Sequence, residues 1–257
     1  MWAARGARRR AVHGRGRRRA PWVRSRRRSY TDAPMRRSHL IAIAGASGAG
    51  KTTLAHHLAD ALEVGPAAVI PMDAYYRDHP EYDLAKRAAA NYDSPDSIDV
   101  TLLRRQLDLL RAGRPAERPV YDFRTHRRTE ATISLRPLPF LLLEGLLALH
   151  WPAIRGMADT RVYIEIDQAT ALARRIARDR RERGRDEASV HRQWRATVWP
   201  GYLRWIAPSA RFAHMTVDGA APLEACVAAA IDQVRASSPA PAPATSAARS
   251  RSKTRAN

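Results

Sequence analysis

Apolar positions along the chain follow two alternating rhythms. Short strand-like runs recur at His39–Ala44, Ala67–Pro71, Pro139–Leu143, Arg161–Ile166 and His214–Val217. Between them lie stretches with helical spacing. Leu54, Leu58 and Leu62 repeat at i, i+4 and i+8 within 52–63. Leu102, Leu103, Leu107 and Leu110 share one side of 101–112, which Gly113 stops. Residues 169–183 predict a strongly charged helix, and 222–235 a closing helix with Pro222 at an allowed first-turn position. Strand then helix, repeated, predicts an α/β fold: a parallel sheet covered by helices on both faces. No internal repeat is visible. Residues 75–99 and 113–137 break the rhythm and read as insertions that carry specificity.

The first strand runs into Gly45-Ala46-Ser47-Gly48-Ala49-Gly50-Lys51-Thr52, a full match to G-x-x-x-x-G-K-[ST] between a predicted strand and a predicted helix. Glycines let the backbone curl so that its N–H groups point at a polyphosphate. The following helix adds the positive end of its dipole. Lys51 reaches the β- and γ-phosphates, and Thr52 offers a hydroxyl to magnesium. The sheet is therefore expected to be of the P-loop NTPase type. Such a site needs a second carboxylate at the end of a neighbouring buried strand, and Glu144 ends the run Phe140-Leu141-Leu142-Leu143. Asp73 stands at the end of the second strand, in Pro71-Met72-Asp73, where it can accept a proton from a hydroxyl. A plain helix N-cap is the duller reading of Asp73.

Charge changes the picture mainly at the ends. The chain of 257 residues has a formal net charge of +20, which alone would suggest nucleic acid or an anionic surface. Residues 1–37 carry 14 arginines against one acid, Asp32, and 236–257 carry four basic residues and no acid. The middle, 38–235, holds 27 basic and 24 acidic residues. We read 1–37 as a disordered Arg-rich extension, 38–235 as one kinase-sized domain and 236–257 as a disordered Pro/Ala/Ser/Arg tail. The extension has three readings: an arm binding RNA or DNA, an organelle transit peptide, or translated upstream sequence with Met35 as the start. The last fits best with Met35 lying just before the first strand. One cysteine, Cys226, forms no internal disulfide and no zinc cluster. The most apolar stretch, 138–151, is too short for a membrane span and contains Glu144. A cytoplasmic protein without a membrane partner is expected.

A P-loop does not by itself separate a kinase from an ATPase or GTPase. The later motifs do. They are Asp73-Ala74-Tyr75-Tyr76-Arg77, Asn91-Tyr92-Asp93-Ser94-Pro95, Pro119-Val120-Tyr121-Asp122-Phe123-Arg124-Thr125-His126, Glu144-Gly145, and Arg174-Arg175-Ile176-Ala177-Arg178-Asp179 continuing to Arg183-Gly184-Arg185-Asp186. In this order they resemble the uridine kinase (uridine–cytidine kinase) family, within the phosphoribulokinase/uridine kinase group, from about residue 39 to 219.

The resemblance implies transfer of the ATP (or GTP) γ-phosphoryl to the 5′-hydroxyl of uridine or cytidine, with Mg²⁺, in pyrimidine salvage. It implies Asp73 as general base beside Lys51, and a donor site of residues 45–52 with Thr53 and the lid arginines Arg178 and Arg183. Thr52 and Glu144 would hold the metal. Asp93 would bind the ribose hydroxyls, a geometry suited to selecting ribose over deoxyribose. Tyr121 and His126 would read the edge of the pyrimidine, with Phe123 as an apolar wall. Arg175, Arg185 and Gln193 would complete the nucleoside site. Known relatives also imply a homo-oligomer. Duller readings stand beside these: Asp93 as a turn former, Tyr121 and Phe123 as core aromatics, His126 as a surface residue. Arg174, Arg178, Arg181 and Arg185 fall on one helical stripe, which reads equally as a solvated face.

The chain departs from the family pattern at several positions. Ala171 stands where an arginine is usual, Trp199 where a lysine or arginine often precedes proline, and His214 where an aspartate precedes the last strand. Tyrosines replace phenylalanines among Tyr75, Tyr76 and Tyr92. The rival readings are a kinase of the same group acting on another small hydroxyl compound, such as ribulose 5-phosphate, and a nucleic-acid-associated NTPase using the Arg-rich arm.

Overall fold

Along β1 (His39–Gly45), Leu40, Ala42 and Ala44 point to one face and Ile41 and Ile43 to the other, and all five are fully buried. A strand buried on both sides needs layers on both sides. A computed structural model supplies them and describes residues 37–62 and 65–238. β1, β2 (Ala67–Pro71), β5 (Phe140–Glu144), β6 (Thr160–Glu165) and β7 (Met215–Asp218) form one parallel sheet in the order β2-β5-β1-β6-β7. One face packs on Leu103, Leu107 and Leu110 of α3 (Val100–Arg111). The other packs on Leu54 and Leu58 of α1 (Lys51–Ala61), and on Ala230 and Val234 of α8 (Leu223–Ser237). This is the predicted α/β architecture. The closing helix runs to Ser237, two residues beyond its expected end.

The segments without rhythm have structure of their own. Residues 113–137 hold an antiparallel hairpin, β3 (Ala116–Asp122) and β4 (Arg127–Leu135), in a separate two-stranded sheet. The expected insertion is thus a ribbon. Six consecutive residues of β4, Thr129–Ser134, are exposed, so no apolar alternation marks it. Pro119 within β3 also argues locally against a strand, and the pairing shifts register between Pro119 and Tyr121. Residues 75–99 include the short helix α2 (Leu84–Ala89), with no buried residue.

After β5 a short turn of helix, α4 (Pro152–Arg155), leads to β6. The charged helix α5 (Gln168–Arg183) starts on an Asp167 cap and stops at Gly184, which takes the left-handed conformation at φ 63°. Arg185 therefore lies beyond the helix end, and the expected four-arginine stripe loses its last member. A long helical stretch follows: α6 (Glu187–Gln193), a π segment at Trp194–Val198, α7 (Trp199–Gly201) and a second π segment at Tyr202–Ile206. Pro200, which has no N–H to donate, sits between the two widened segments. Among the described residues no helix is long and apolar enough to cross a membrane. The readings of residues 1–36 and 239–257, and of Glu63 at the end of the first predicted helix, lie outside the described residues.

Candidate active site

The loop between β1 and α1 curls as its glycines allow. Gly48 and Gly50 have φ of 86° and 96°, a region that favours glycine. A Cβ on Gly48 would also lie 2.3 Å from the carbonyl oxygen of Ala171, in the first turn of α5. Ala171 is fully buried there. The departure from arginine at this position thus falls where α5 rests on the loop. Gly48→Ala is expected to cost about 2 kcal/mol of stability through the strained φ and the clash. A thermal melt would register it.

Strand register brings the carboxylates to the same sheet edge. Glu144 aligns with Ile43 of β1 on one side and with Pro71 of β2 on the other. Asp73 follows two residues after Pro71, in a 3₁₀ turn over Met72–Tyr75. Thr52 Oγ1 donates to Glu144 Oε1 at 3.0 Å. Lys51 is buried, and its Nζ donates to Ala46 O at 2.9 Å. Burial lowers the pKa of this ammonium, while Glu144, Asp73 and Asp93 counteract and Arg178 reinforces the fall. Burial raises the Glu144 carboxyl, against the pull of Lys51.

Lys51, Thr52, Asp73 and Glu144 border two adjoining spaces. The wider, of about 740 Å³, runs along the loop and α1 and includes Thr53, Arg178 and Arg183 in its wall. Ser47, Gly48, Ala49 and Gly50 face one space or the other. Gly45 and Ala46 line neither space: a Cβ on Gly45 would meet the Ile164 carbonyl, and Ala46 is buried behind the loop.

The narrower space, of about 80 Å³, lies between Asp73 and the hairpin. It is lined by Asp93, Tyr121, Phe123 and His126, and from the helical side by Arg175, Arg185 and Gln193. All the expected nucleoside-site residues are therefore together. Tyr121 is buried, and its hydroxyl has no hydrogen-bond partner. Its ring meets Tyr76 edge-on at 5.2 Å and Phe123 at 5.3 Å. His126 is buried, stacks on Tyr92 at 5.2 Å, and holds a positive φ of 52°. Such strain persists only where the surroundings enforce it. Burial lowers the His126 pKa, and nearby Arg185, Arg183 and Arg87 lower it further, which favours the neutral ring. Asp93 is buried, which raises its carboxyl pKa against the pull of Arg175.

The arginines of α5 are not a solvated face alone. Arg175 Nη1 donates to Ser47 Oγ at 2.8 Å, and its Nη2 to Gln193 Oε1 at 2.8 Å. Arg185 Nη1 donates to the same Gln193 oxygen at 2.9 Å. Arg178, Arg185, Arg175 and Arg183 converge on Asp179, which is fully buried. Burial alone would raise that carboxyl, but the guanidiniums outweigh it and hold it below the ordinary range. Asp179 is a part of the site that sequence reasoning did not single out; its one visible signal is an acid set among arginines. Arg183 also lies over the Phe123 ring at 4.5 Å, joining α5 to the hairpin. Arg174 and Arg181 also border the wider space, and Arg174 donates to Gly219 O at 2.8 Å. Among the described residues no group of three or more His, Cys, Asp or Glu could hold a metal.

A glycine cradle opening a helix, two strand-end carboxylates beside it and an arginine-rich helix over it define a P-loop protein of the small-molecule kinase type. Residues 40–222 match the family described as Phosphoribulokinase / Uridine kinase, and the chain belongs to that family. A uridine kinase of Lactobacillus helveticus is 41% identical over 179 residues, covering 69% of this chain and 85% of the relative. A uridine kinase of Lactobacillus johnsonii is 40% identical over 183 residues, covering 71% of this chain and 87% of the relative. Among solved structures, phosphoribulokinase from Rhodobacter spheroides superposes with a TM-score of 0.51 at 19% identity, over 74% of this chain and 75% of that one. That last likeness speaks for the fold.

Proposed function

We propose that this protein transfers the γ-phosphoryl group of ATP to the 5′-hydroxyl of uridine or cytidine, giving UMP or CMP and ADP. The observation that carries the reading is the placing of Asp73 on the wall shared by the two spaces, the cradle on one side and the hairpin pocket on the other. The cradle amides and Lys51 hold the donor's phosphates. Arg178 and Arg183 border both spaces and can follow the charge as it spreads over the transferring group. Asp73 takes the proton from the attacking hydroxyl. Asp93 accepts from the ribose hydroxyls, and the Tyr121 ring, on the wall of the narrower space, lies against the pyrimidine. His126, in its neutral form, can both donate and accept there.

The residues at the metal position fit Mg²⁺. Thr52 and Glu144 present hard oxygen donors 3.0 Å apart, and an ion that keeps several of its waters needs few protein ligands. When bound, Mg²⁺ neutralises charge on the donor's phosphates.

A phosphorylation panel with uridine, cytidine, deoxyuridine and ribulose 5-phosphate tests the reading. Uridine or cytidine should be the best acceptor. Deoxyuridine should lose roughly 10²-fold in kcat/KM, because Asp93 loses the 2′-hydroxyl, one of its two donors, in a buried place. Faster turnover of ribulose 5-phosphate than of either ribonucleoside would overturn it.

A further inference from the structure

The turn that carries Asp73 packs on α3, where the Tyr75 hydroxyl donates to Gln106 Oε1 at 2.7 Å, and on the hairpin. Its two exit carbonyls, Tyr75 O and Tyr76 O, are held from β4 by one side chain. Arg128 Nε donates to Tyr76 O at 2.7 Å, and Arg128 Nη2 to Tyr75 O at 3.0 Å. The outer nitrogens also reach Asp99 Oδ2 at 3.3 and 3.4 Å. Asp99 in turn caps α3, its Oδ1 accepting from Leu102 N at 3.0 Å, while its own N–H donates to Tyr75 O at 2.9 Å. The neighbouring Arg127 pairs with Asp78 through two bonds of 2.7 and 3.0 Å, just past the same turn.

Arg128 is also the cross-strand partner of Tyr121 and follows His126 by two residues. The residues assigned above to the pyrimidine and the turn assigned to proton transfer are therefore clipped together through one planar group. A guanidinium presents its donors in a rigid fork, so it fixes two carbonyls and a carboxylate in one plane.

We infer that Arg128 is a positioning residue: it sets the place of Asp73 relative to the hairpin, so that seating the base on the hairpin brings the 5′-hydroxyl to the Asp73 carboxylate. The inference rests on the nucleoside kinase reading above. Arg128 borders neither of the two spaces, so it acts only through the turn. A displacement of about 1 Å at a reacting pair can cost on the order of 10²-fold in rate.

The test is a double-mutant cycle on the full chain, reading kcat with uridine and KM for ATP. Arg128→Met is expected to lower kcat about 10²-fold with KM for ATP within about three-fold of wild type. In an Asp73→Asn background the same substitution should cost less than about three-fold more, because the group it positions is already gone. Arg128→Lys keeps the charge but cannot span the three acceptors, and should recover less than about ten-fold. A residue that merely stabilises the fold would give losses that multiply. The inference is overturned if Arg128→Met retains kcat within three-fold of wild type, or if its full loss persists in the Asp73→Asn background. Should Arg128→Met fail to fold by circular dichroism, the cycle is run with Arg128→Lys under the same two criteria. Failure of the wild-type protein to phosphorylate either uridine or cytidine would sink the nucleoside reading instead. The cycle is then read on whichever acceptor the wild type does phosphorylate.

Discussion

Lys51→Ala is expected to lower kcat by about 10²- to 10³-fold, the scale of losing a fixed donor to a developing negative charge. The side chain is buried, and its ammonium is parked on the loop's own Ala46 carbonyl. A polyphosphate in the cradle offers that ammonium a full negative charge instead of a neutral carbonyl oxygen. The swap is favourable in a site shielded from water, and it grows more favourable as charge moves onto the transferring group. Alanine also removes the cation that draws the Glu144 and Asp93 carboxyls down against burial. Both would then shift further up, so the metal position weakens together with the donor site. Steady-state turnover with saturating ATP and uridine, alongside a melt showing a folded variant, checks this. Less than a ten-fold loss would contradict the role given to Lys51.

The parts of this site that could be read from the chain are those fixed by local rules. The cradle is contiguous, and its flanking strand and helix announce themselves by period. Glu144 and Asp73 could be placed because strand ends in a parallel sheet share one edge, and register then aligns Glu144 with both Ile43 and Pro71. The hairpin could not, since six consecutive exposed residues of β4 leave that strand without alternation and Pro119 interrupts the other. Its partnership with the Asp73 turn depends on contacts such as Arg128 to Tyr76, 52 positions apart in the chain. Nothing in the neighbourhood of either residue encodes that meeting.

The arginine helix shows the same limit from another side. Spacing put Arg174, Arg178 and Arg181 on one stripe, and all three border the wider space. The stripe misses Arg175, which faces the narrower space and reaches across to Ser47 and Gln193. The buried Asp179 decides the arrangement, gathering four guanidiniums around one carboxylate. A free solvated face would have no such centre.

Asp73→Asn is the more discriminating substitution, because it changes proton affinity and almost nothing else. The side chain keeps its size, so the 3₁₀ turn, the Arg128 clip and the cradle should stand unchanged. The Tyr76 phenol nearby is pushed well up by burial and by the Asp73 and Asp93 carboxylates, so it is no competing base. An amide at position 73 cannot take the proton of a 5′-hydroxyl. Turnover should fall about 10²- to 10⁴-fold, the range of a general base, with KM for ATP within a few-fold of wild type. If Asp73 served only as a helix cap, asparagine would cap as well and turnover would hardly move. Near-normal kcat in Asp73→Asn, measured with uridine at saturating ATP, would therefore refute the base assignment.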